Sequence, residues 1–432
     1  MQLISQKIRD KFIFTYENIL CIISQMNSLK IKQYDSPHQF EPLFPQDRFM
    51  GPLLEKASDL IRESASLGAS AAPAAATELR TLLRSMNSYY TNRIEGEHTR
   101  PADIERALRQ DFSTESLVAR RQRLAVSHIQ TEIACERLIR EKLDAGENVL
   151  QWLYSTPALQ WMHLQLFGGL SQEDLLLVDG SLLDPGQIRT RGVAVGNHEA
   201  PTAAAVPAFL DRWAEAYGQS RRGEASLVAL AAAHHRLAWV HPFLDGNGRV
   251  TRLQTHLALQ AQGLTNGLWS PLRGFARTEE KYKAMLKAAD EHRRGDLDGR
   301  GNLTEAGLIG WIHYTLDTCI DQVRFMRKLL DVGAMRERIQ AALIFEESKK
   351  TGVRKEAALA LHYLFSTNSE IGRAAFKQMT GLGERVATDL VSSLLKNGYL
   401  ASDSAYGALR FAIPRSALRF YFPELWPEAE AV

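Results

Sequence analysis

The twelve residues from His241 to Arg252, HPFLDGNGRVTR, decide how the rest of this 432-residue chain is read. A run of mainly apolar residues, LVALAAAHHRLAWV (227–240), leads into His241 and has the look of a buried helix. Pro242 disfavours helical geometry at the residue before it, so that helix should end at His241 and leave the imidazole on the lip of a loop. In the loop, Gly246 and Gly248 permit positive φ, and backbone N–H groups can converge there into an anion-binding nest. Arg249 is expected to open the next helix, whose unpaired N–H groups and dipole favour a phosphate. Arg249 and Arg252, three apart, share a helix face and can grip one polyanion. Asp245 is a hard oxygen ligand suited to Mg²⁺ that also touches phosphates. Taken together, these residues predict a nucleoside triphosphate site with a histidine base beside it.

The motif HPFxDGNGRxxR, matched at every specified position by residues 241–252, resembles that of the Fic (Fido) family. The resemblance implies a mainly α fold, a Fic-type helical bundle with a short β-hairpin flap. It also implies transfer of AMP from ATP to a protein hydroxyl of Tyr, Thr or Ser. In that reading His241 is the general base and Asp245 holds Mg²⁺ across the α- and β-phosphates. Gly246, Asn247 and Gly248 form the anion hole, Arg249 grips the phosphates and Arg252 the γ-phosphate. Further matches lie outside the motif. TNRIEG (91–96) resembles the family's inhibitory helix motif, with Thr91, Glu95 and Gly96 in place, on a helix at about 78–95. A glutamate brought to Arg252 would compete with the γ-phosphate. GQIRTRGVAVG (186–196) resembles the flap that clamps a target segment by strand addition, with Arg189, Val193, Val195 and Gly196 in position and Ala194 where an aromatic is common. Tyr282, in SPLRGFARTEEKYKAML, falls on the segment that helps form the adenine side of the pocket.

Outward from the motif the chain reads as helices at about 77–95, 102–110, 115–143, 148–166, 205–219, 225–240, 249–262, 278–289 and 303–330, from apolar residues at three- and four-residue spacing. SLGASAAPAAA (66–76) reads as a loop, and residues 186–201 as a short hairpin. His234 and His235 lack metal-ligand spacing and read as core or helix-surface residues. GRGNLT (299–304) has no strand before it and reads as a helix start capped by Asn302 or Thr304, not a nucleotide loop. No GxxxxGK[ST] P-loop occurs.

Three units are expected. Residues 1–37, which hold no Gly or Ala, read as an appended arm, or as an extension upstream of the true start. Residues 38–345 are the Fic-like domain. ESKKTGVRKE (347–356) is a charged linker into 346–432, where three helices and a hairpin over YLASDSAYGALRFAI make a winged helix-turn-helix pattern.

Composition is that of a globular protein, 45% hydrophobic and 24% charged. A formal charge of +2 does not by itself point to nucleic acid or membrane. Cys21, Cys135 and Cys319 are far apart, which fits a reducing cytoplasm. FIFTYENILCII (12–23) is broken by Glu17 and Asn18, and neither a secretory signal nor a membrane span is expected. The partners implied are ATP and a protein hydroxyl. A homodimer and DNA binding through the winged helix stay open, although GERVATDLVSSLLKNG (383–398) sets Glu384 and Asp389 against Arg385 and Lys396. Two other functions stay open: AMP removal or other phosphate-group transfer in the same pocket, and a nucleotide-sensing, DNA-binding regulator.

Overall fold

The computed structural model describes residues 34–70, 73–196, 198–219, 221–367 and 370–425; most of the expected N-terminal arm lies outside them. The chain is predominantly helical. In order it forms α1 (Asp47–Ser70), α2 (Pro73–Ile94), α3 (Pro101–Leu108), α4 (Ser116–Asp144), α5 (Val149–Leu153), α6 (Thr156–Phe167), β1 (Ala194–Val195), β2 (His198–Glu199), α7 (Val206–Tyr217), α8 (Glu224–Val240) and α9 (Asn247–Ala261). There follow α10 (Leu272–Arg277), α11 (Glu279–Asp290), α12 (Glu305–Leu329), α13 (Val332–Ser348), α14 (Ala358–Thr367), α15 (Arg373–Thr380), α16 (Glu384–Lys396), β3 (Leu400–Ala401), β4 (Arg410–Phe411) and α17 (Arg415–Tyr421).

Helix α8 is the centre of the molecule. From Ser226 to Val240 every residue except Ala238 is buried, as a helix that is apolar on all sides must be. It packs against α1, α7, α9, α11 and α12. Its small residues Ala231 and Ala233 leave room for the indoles of Trp311 and Trp213, which donate to their carbonyls at 2.6 and 3.0 Å. His234 and His235 are core residues. His234 bonds Thr255 Oγ1 at 2.8 Å and Tyr282 Oη at 3.1 Å, while His235 lies 3.1 Å from Asp290 Oδ1. Around this core, α2 packs on α4 and α10, and α9 touches α2, α4, α5 and α6. The two ends that matter for function, the C-terminus of α8 and the N-terminus of α9, therefore meet under α2.

Several boundaries differ from the sequence expectation, each for a local reason. The expected loop at 66–76 is helical up to Ser70 and again from Pro73; alanine favours helix, and Pro73 sits at a helix start where its missing N–H costs nothing. The expected helix at 148–166 is two helices, because the Ser155 side chain accepts from Ala158 N at 3.3 Å and starts a new one ahead of Pro157. Arg249 does not open α9; Asn247 does, after Gly246 in the left-handed region at φ 78°. The hairpin falls at the C-terminal end of the expected 186–201 and reaches past the flap-like segment 186–196, pairing Ala194 with Glu199 and Val195 with His198. Helix α13 runs to Ser348, into the expected linker. Thr304 caps α12, its Oγ1 accepting from Gly307 N at 3.2 Å.

Beyond α12, α13 packs on α14 and α17, and α14–α16 lead to a two-stranded antiparallel ribbon pairing Leu400 with Phe411. This C-terminal unit docks on the core. Tyr90 Oη donates to Leu425 O at 3.0 Å and Arg273 Nη2 to Glu424 O at 3.0 Å. Among the described residues no helix is long and apolar enough to cross a membrane. Cys135 and Cys319 are buried and free.

Candidate active site

His241 ends α8 with φ 51° and ψ 63°, a left-handed conformation uncommon for a residue with a β-carbon. The geometry aims its ring. Nδ1 lies 3.3 Å from Ala238 O, and since a carbonyl can only accept, Nδ1 carries the proton and Nε2 keeps its lone pair. Burial pushes the imidazole down to about 4; His198 and Arg189 push the same way, against the Ala238 carbonyl and Glu95. At neutral pH the ring is therefore a free base.

The loop that follows is closed by one side chain. Asn247 Oδ1 accepts from Phe243 N at 2.8 Å, and its Nδ2 donates to Phe243 O at 2.9 Å. Asn247 thus acts through its amide as a clasp, with both functions spent on backbone. A β-carbon at Gly246 would strike the Phe167 ring, so only glycine fits both the φ and the space. Asp245 Oδ1 accepts from Gly246 N at 2.6 Å. His163, which the sequence did not single out, supports the loop from below. Its Nδ1 accepts from Gly186 N at 2.8 Å, which makes Nε2 the donor to Asp245 O at 3.1 Å. The ring stacks on Phe243 at 4.0 Å.

Both arginines of the motif are buried. Arg249 is 5% exposed, with its guanidinium 5.4 Å from the centre of the Phe167 ring, and its Nε and Nη1 have no hydrogen-bond partner. A buried guanidinium with unmade bonds is costly, and it marks a place where an anion belongs. Arg252 is 1% exposed; its Nε donates to Thr91 Oγ1 at 2.8 Å and its Nη2 to Thr91 O at 3.2 Å and to Glu95 Oε1. Burial raises the Glu95 carboxyl, but Arg252 and Arg249 more than reverse that, and it stays below its usual range. Burial likewise opposes charge on Arg252, and Glu95 and Tyr282 hold its basicity up. The Glu95 carboxylate also lies over the start of α9, where a β-carbon on Gly248 would collide with it. A helix N-terminus favours an anion, and here a side chain supplies one.

The remaining sequence-predicted residues fall in two groups. Tyr282 is not on an open pocket wall. It is buried among His234, Phe275 and Trp311, and its hydroxyl reaches Arg252 of the site. Arg189 is not on the hairpin face but 3% exposed beneath it. Val193 O accepts from Ala200 N at 3.4 Å, Val195 lies in β1, and Gly196 makes the turn at φ 59°. His198 anchors β2, its Nε2 2.8 Å from Trp239 O.

Among the described residues no three His, Cys, Asp or Glu side chains are grouped to hold a metal. Asp245 alone still fits Mg²⁺ of the kind that keeps its waters and is shared with substrate phosphates, since such a site needs only one or two carboxylates. A separate groove of about 570 Å³ lies between α4 and the end of α6; its cation, Arg123, is spent on Asp174 at 2.6 Å.

Residues 154–259 match the Fic/DOC family. The chain is 30% identical over 118 residues to Protein adenylyltransferase Fic of Drosophila ananassae, covering 27% of this chain and 22% of that protein. Over 116 residues it is 30% identical to the protein of the same name in Drosophila willistoni, with the same coverage. The chain thus spans about a fifth of the length of these curated relatives. Among solved structures it is similar to a Fic family protein from Desulfovibrio desulfuricans G20, with a TM-score of 0.49, 17% identity, and 86% of this chain and 98% of that one covered. Fic-1 of C. elegans aligns with a TM-score of 0.44 and 18% identity, over 63% of this chain and 70% of that one. Glu95, Tyr282 and the C-terminal unit all lie outside the family match.

Proposed function

We propose, from the match of residues 154–259 to the Fic/DOC family, that the protein transfers AMP from ATP to a Tyr, Thr or Ser hydroxyl of a target protein and is restrained by its own Glu95. His241 Nε2 takes the hydroxyl proton as the hydroxyl oxygen bonds to the α-phosphorus. The bond from that phosphorus to the bridging oxygen breaks, and pyrophosphate leaves. Arg249 and the N–H groups at the start of α9 balance the phosphate charge, and Arg252 takes the γ-phosphate. Asp245 would hold Mg²⁺, which supplies further charge neutralisation at the phosphates. The hairpin would carry the target segment along its edge.

One observation carries this reading: a carboxylate from α2's C-terminal end sits on Arg252 and over Gly248 while Nε and Nη1 of Arg249 beside it make no hydrogen bond. That is an anion site with an internal competitor in part of it. The same carboxylate supports a second reading, AMP removal assisted by Glu95, because Glu95 lies close enough to His241 to affect its charge. We read the C-terminal unit as a winged helix that serves to dock on α2 and α10 through residues 424–425. The test is incubation of Glu95→Gly protein with labelled ATP and a cell lysate, followed by mass spectrometry. AMP on a hydroxyl side chain supports the proposal. Release of AMP from pre-modified protein, with no transfer by any variant, replaces it with the removal reading.

A further inference from the structure

Arg189 is a buried cation with no carboxylate partner among the described residues. Burial alone pulls its basicity down, to about 10. Every hydrogen bond its guanidinium makes ends on a backbone carbonyl. Nε donates to His241 O at 2.7 Å, Nη2 to Pro201 O at 2.5 Å and to Val240 O at 3.4 Å, and Nη1 to Arg191 O at 3.1 Å. Its own backbone N–H donates to Pro242 O at 2.9 Å.

These carbonyls belong to two structures. Val240 and His241 are the last residue of α8 and its cap. Pro242 stops that helix, leaving terminal carbonyls that need donors, and the negative end of the helix dipole favours a cation there. Arg191 and Pro201 are the two roots of the hairpin whose strands are Ala194–Val195 and His198–Glu199. A planar fork with five donors can reach both at once, whereas an ammonium on a flexible stem cannot hold four carbonyls in fixed directions.

We infer that Arg189 is a positioning residue for the transfer, one that sets the separation between the His241 ring and the hairpin edge along which the target hydroxyl arrives. The inference rests on the hydroxyl-transfer reading above. The Arg189 guanidinium makes no hydrogen bond to the anion-loop residues Gly246, Asn247 and Gly248. Its contribution lies in holding the left-handed turn at His241 against the hairpin roots, so that the proton acceptor and the bound target segment share one rigid frame. Misplacement of a reacting group by about 1 Å is enough to cost about 10²-fold in rate.

The experiment uses full-length Glu95→Gly protein as the active parent. Transfer to the identified target is followed in Arg189→Lys and Arg189→Ala derivatives, with nucleotide affinity measured separately by calorimetry. The expected result is a loss in kcat of about 10²-fold, a raised KM for the target, and ATP affinity unchanged within about twofold. Guanidinium ion added to Arg189→Ala should restore about 10-fold of the loss, and ammonium ion should not. The inference is overturned by a folded Arg189→Lys protein with parental kcat, by a loss that appears only as weaker ATP binding, or by equal effects of guanidinium and ammonium. It is also overturned if neither variant folds, since Arg189 would then serve the fold alone. Failure of the parent itself to transfer AMP strikes the functional reading instead and is recognised before any Arg189 variant is compared.

Discussion

If the proposed function holds, replacing Glu95 by glycine should raise AMP transfer, and the size of the rise follows from the contact it breaks. Glu95 lies one residue past the end of α2, so glycine there does not interrupt a helix. The lost interaction is a charge-assisted hydrogen bond to Arg252, whose side chain is 2% exposed against 30% for Glu95. A bond to a charged group contributes about 1.5–3 kcal/mol, and the solvent access on the Glu95 side favours the lower part of that range. About 1.5–2.5 kcal/mol corresponds to roughly 10- to 70-fold in the population whose γ-phosphate seat is free. Autoadenylylation, followed as added AMP mass on the purified protein at saturating ATP, should rise by that factor. Arg252→Ala breaks the same pair, yet it also deletes the phosphate grip and strands the Thr91 acceptors, so transfer should fall. Opposite signs distinguish competition for one seat from loss of a stabilising salt bridge. Two changes of the same sign, or an unaltered rate in folded Glu95→Gly protein that binds ATP, would refute the reasoning.

Three further outcomes are expected. His241→Ala in the Glu95→Gly background should lose about 10²–10⁴-fold in transfer rate while ATP affinity, read by calorimetry, is kept, because the ring meets the hydroxyl proton and not the phosphates. Asp245→Ala should weaken productive nucleotide binding, with EDTA producing the same effect on the parent; full activity without divalent metal would exclude the proposed site. Stability should fall from about pH 6.5 towards pH 4: His241 and His163, held at about 4, and His128, held at about 3, stay neutral in the folded chain while their unfolded counterparts charge. Unfolding near pH 5 should therefore take up about three protons from these groups, as stability rises with pH wherever the unfolded chain binds more protons. A pH-independent midpoint over that range would contradict their burial.

The part of the site that is legible in the sequence is the part whose chemistry is compressed into consecutive residues. Pro242 after an apolar run does end α8, and Gly246 takes the left-handed turn that a glycine there predicts. The contact of Glu95 with Arg252 was legible too, because Thr91, Glu95 and Gly96 occupy one short motif at the end of an amphipathic helix. His163 was not. Its importance comes from a stack on Phe243 and bonds to Gly186 and Asp245, contacts that span 23 to 82 residues and leave no local pattern. Arg189 is legible in the sequence as a hairpin residue but not in the contacts the structure gives it. Its position beside the hairpin suggested a surface that meets the target, whereas its carbonyl partners come from both ends of a turn that only folding brings together. Tyr282 is buried, its hydroxyl shared between His234 and Arg252, a placement that its spacing on an amphipathic helix does not distinguish from a pocket wall. The hairpin lies within the expected 186–201, but Val193 and Val195 alternate without stating which residues turn, and Gly196 at positive φ makes that choice.

The unmade bonds of Arg249 lead to one more test, in which stability and function should move in opposite directions. With Nε and Nη1 buried and unpartnered, the guanidinium costs the ligand-free protein about 1–3 kcal/mol, the desolvation penalty of an unsatisfied polar group. Arg249→Met keeps the length of the side chain over Phe167 and removes the polar head. The ligand-free variant should therefore melt about 2–6 °C above its parent. The parent, in the Glu95→Gly form, should gain stability from ATP, about 2.7 kcal/mol at a hundredfold excess over Kd. The methionine variant should lose most of that gain, because the charge that made the empty site costly is the charge that receives the phosphates. A site tuned to bind an anion is expected to be strained without one. If Arg249→Met lowers the melting temperature of the ligand-free protein, then Nε and Nη1 have partners in solution and Arg249 is part of the framework. If it raises the temperature but leaves the ATP-induced shift intact, the phosphates sit elsewhere, and the start of α9 is not where the nucleotide binds.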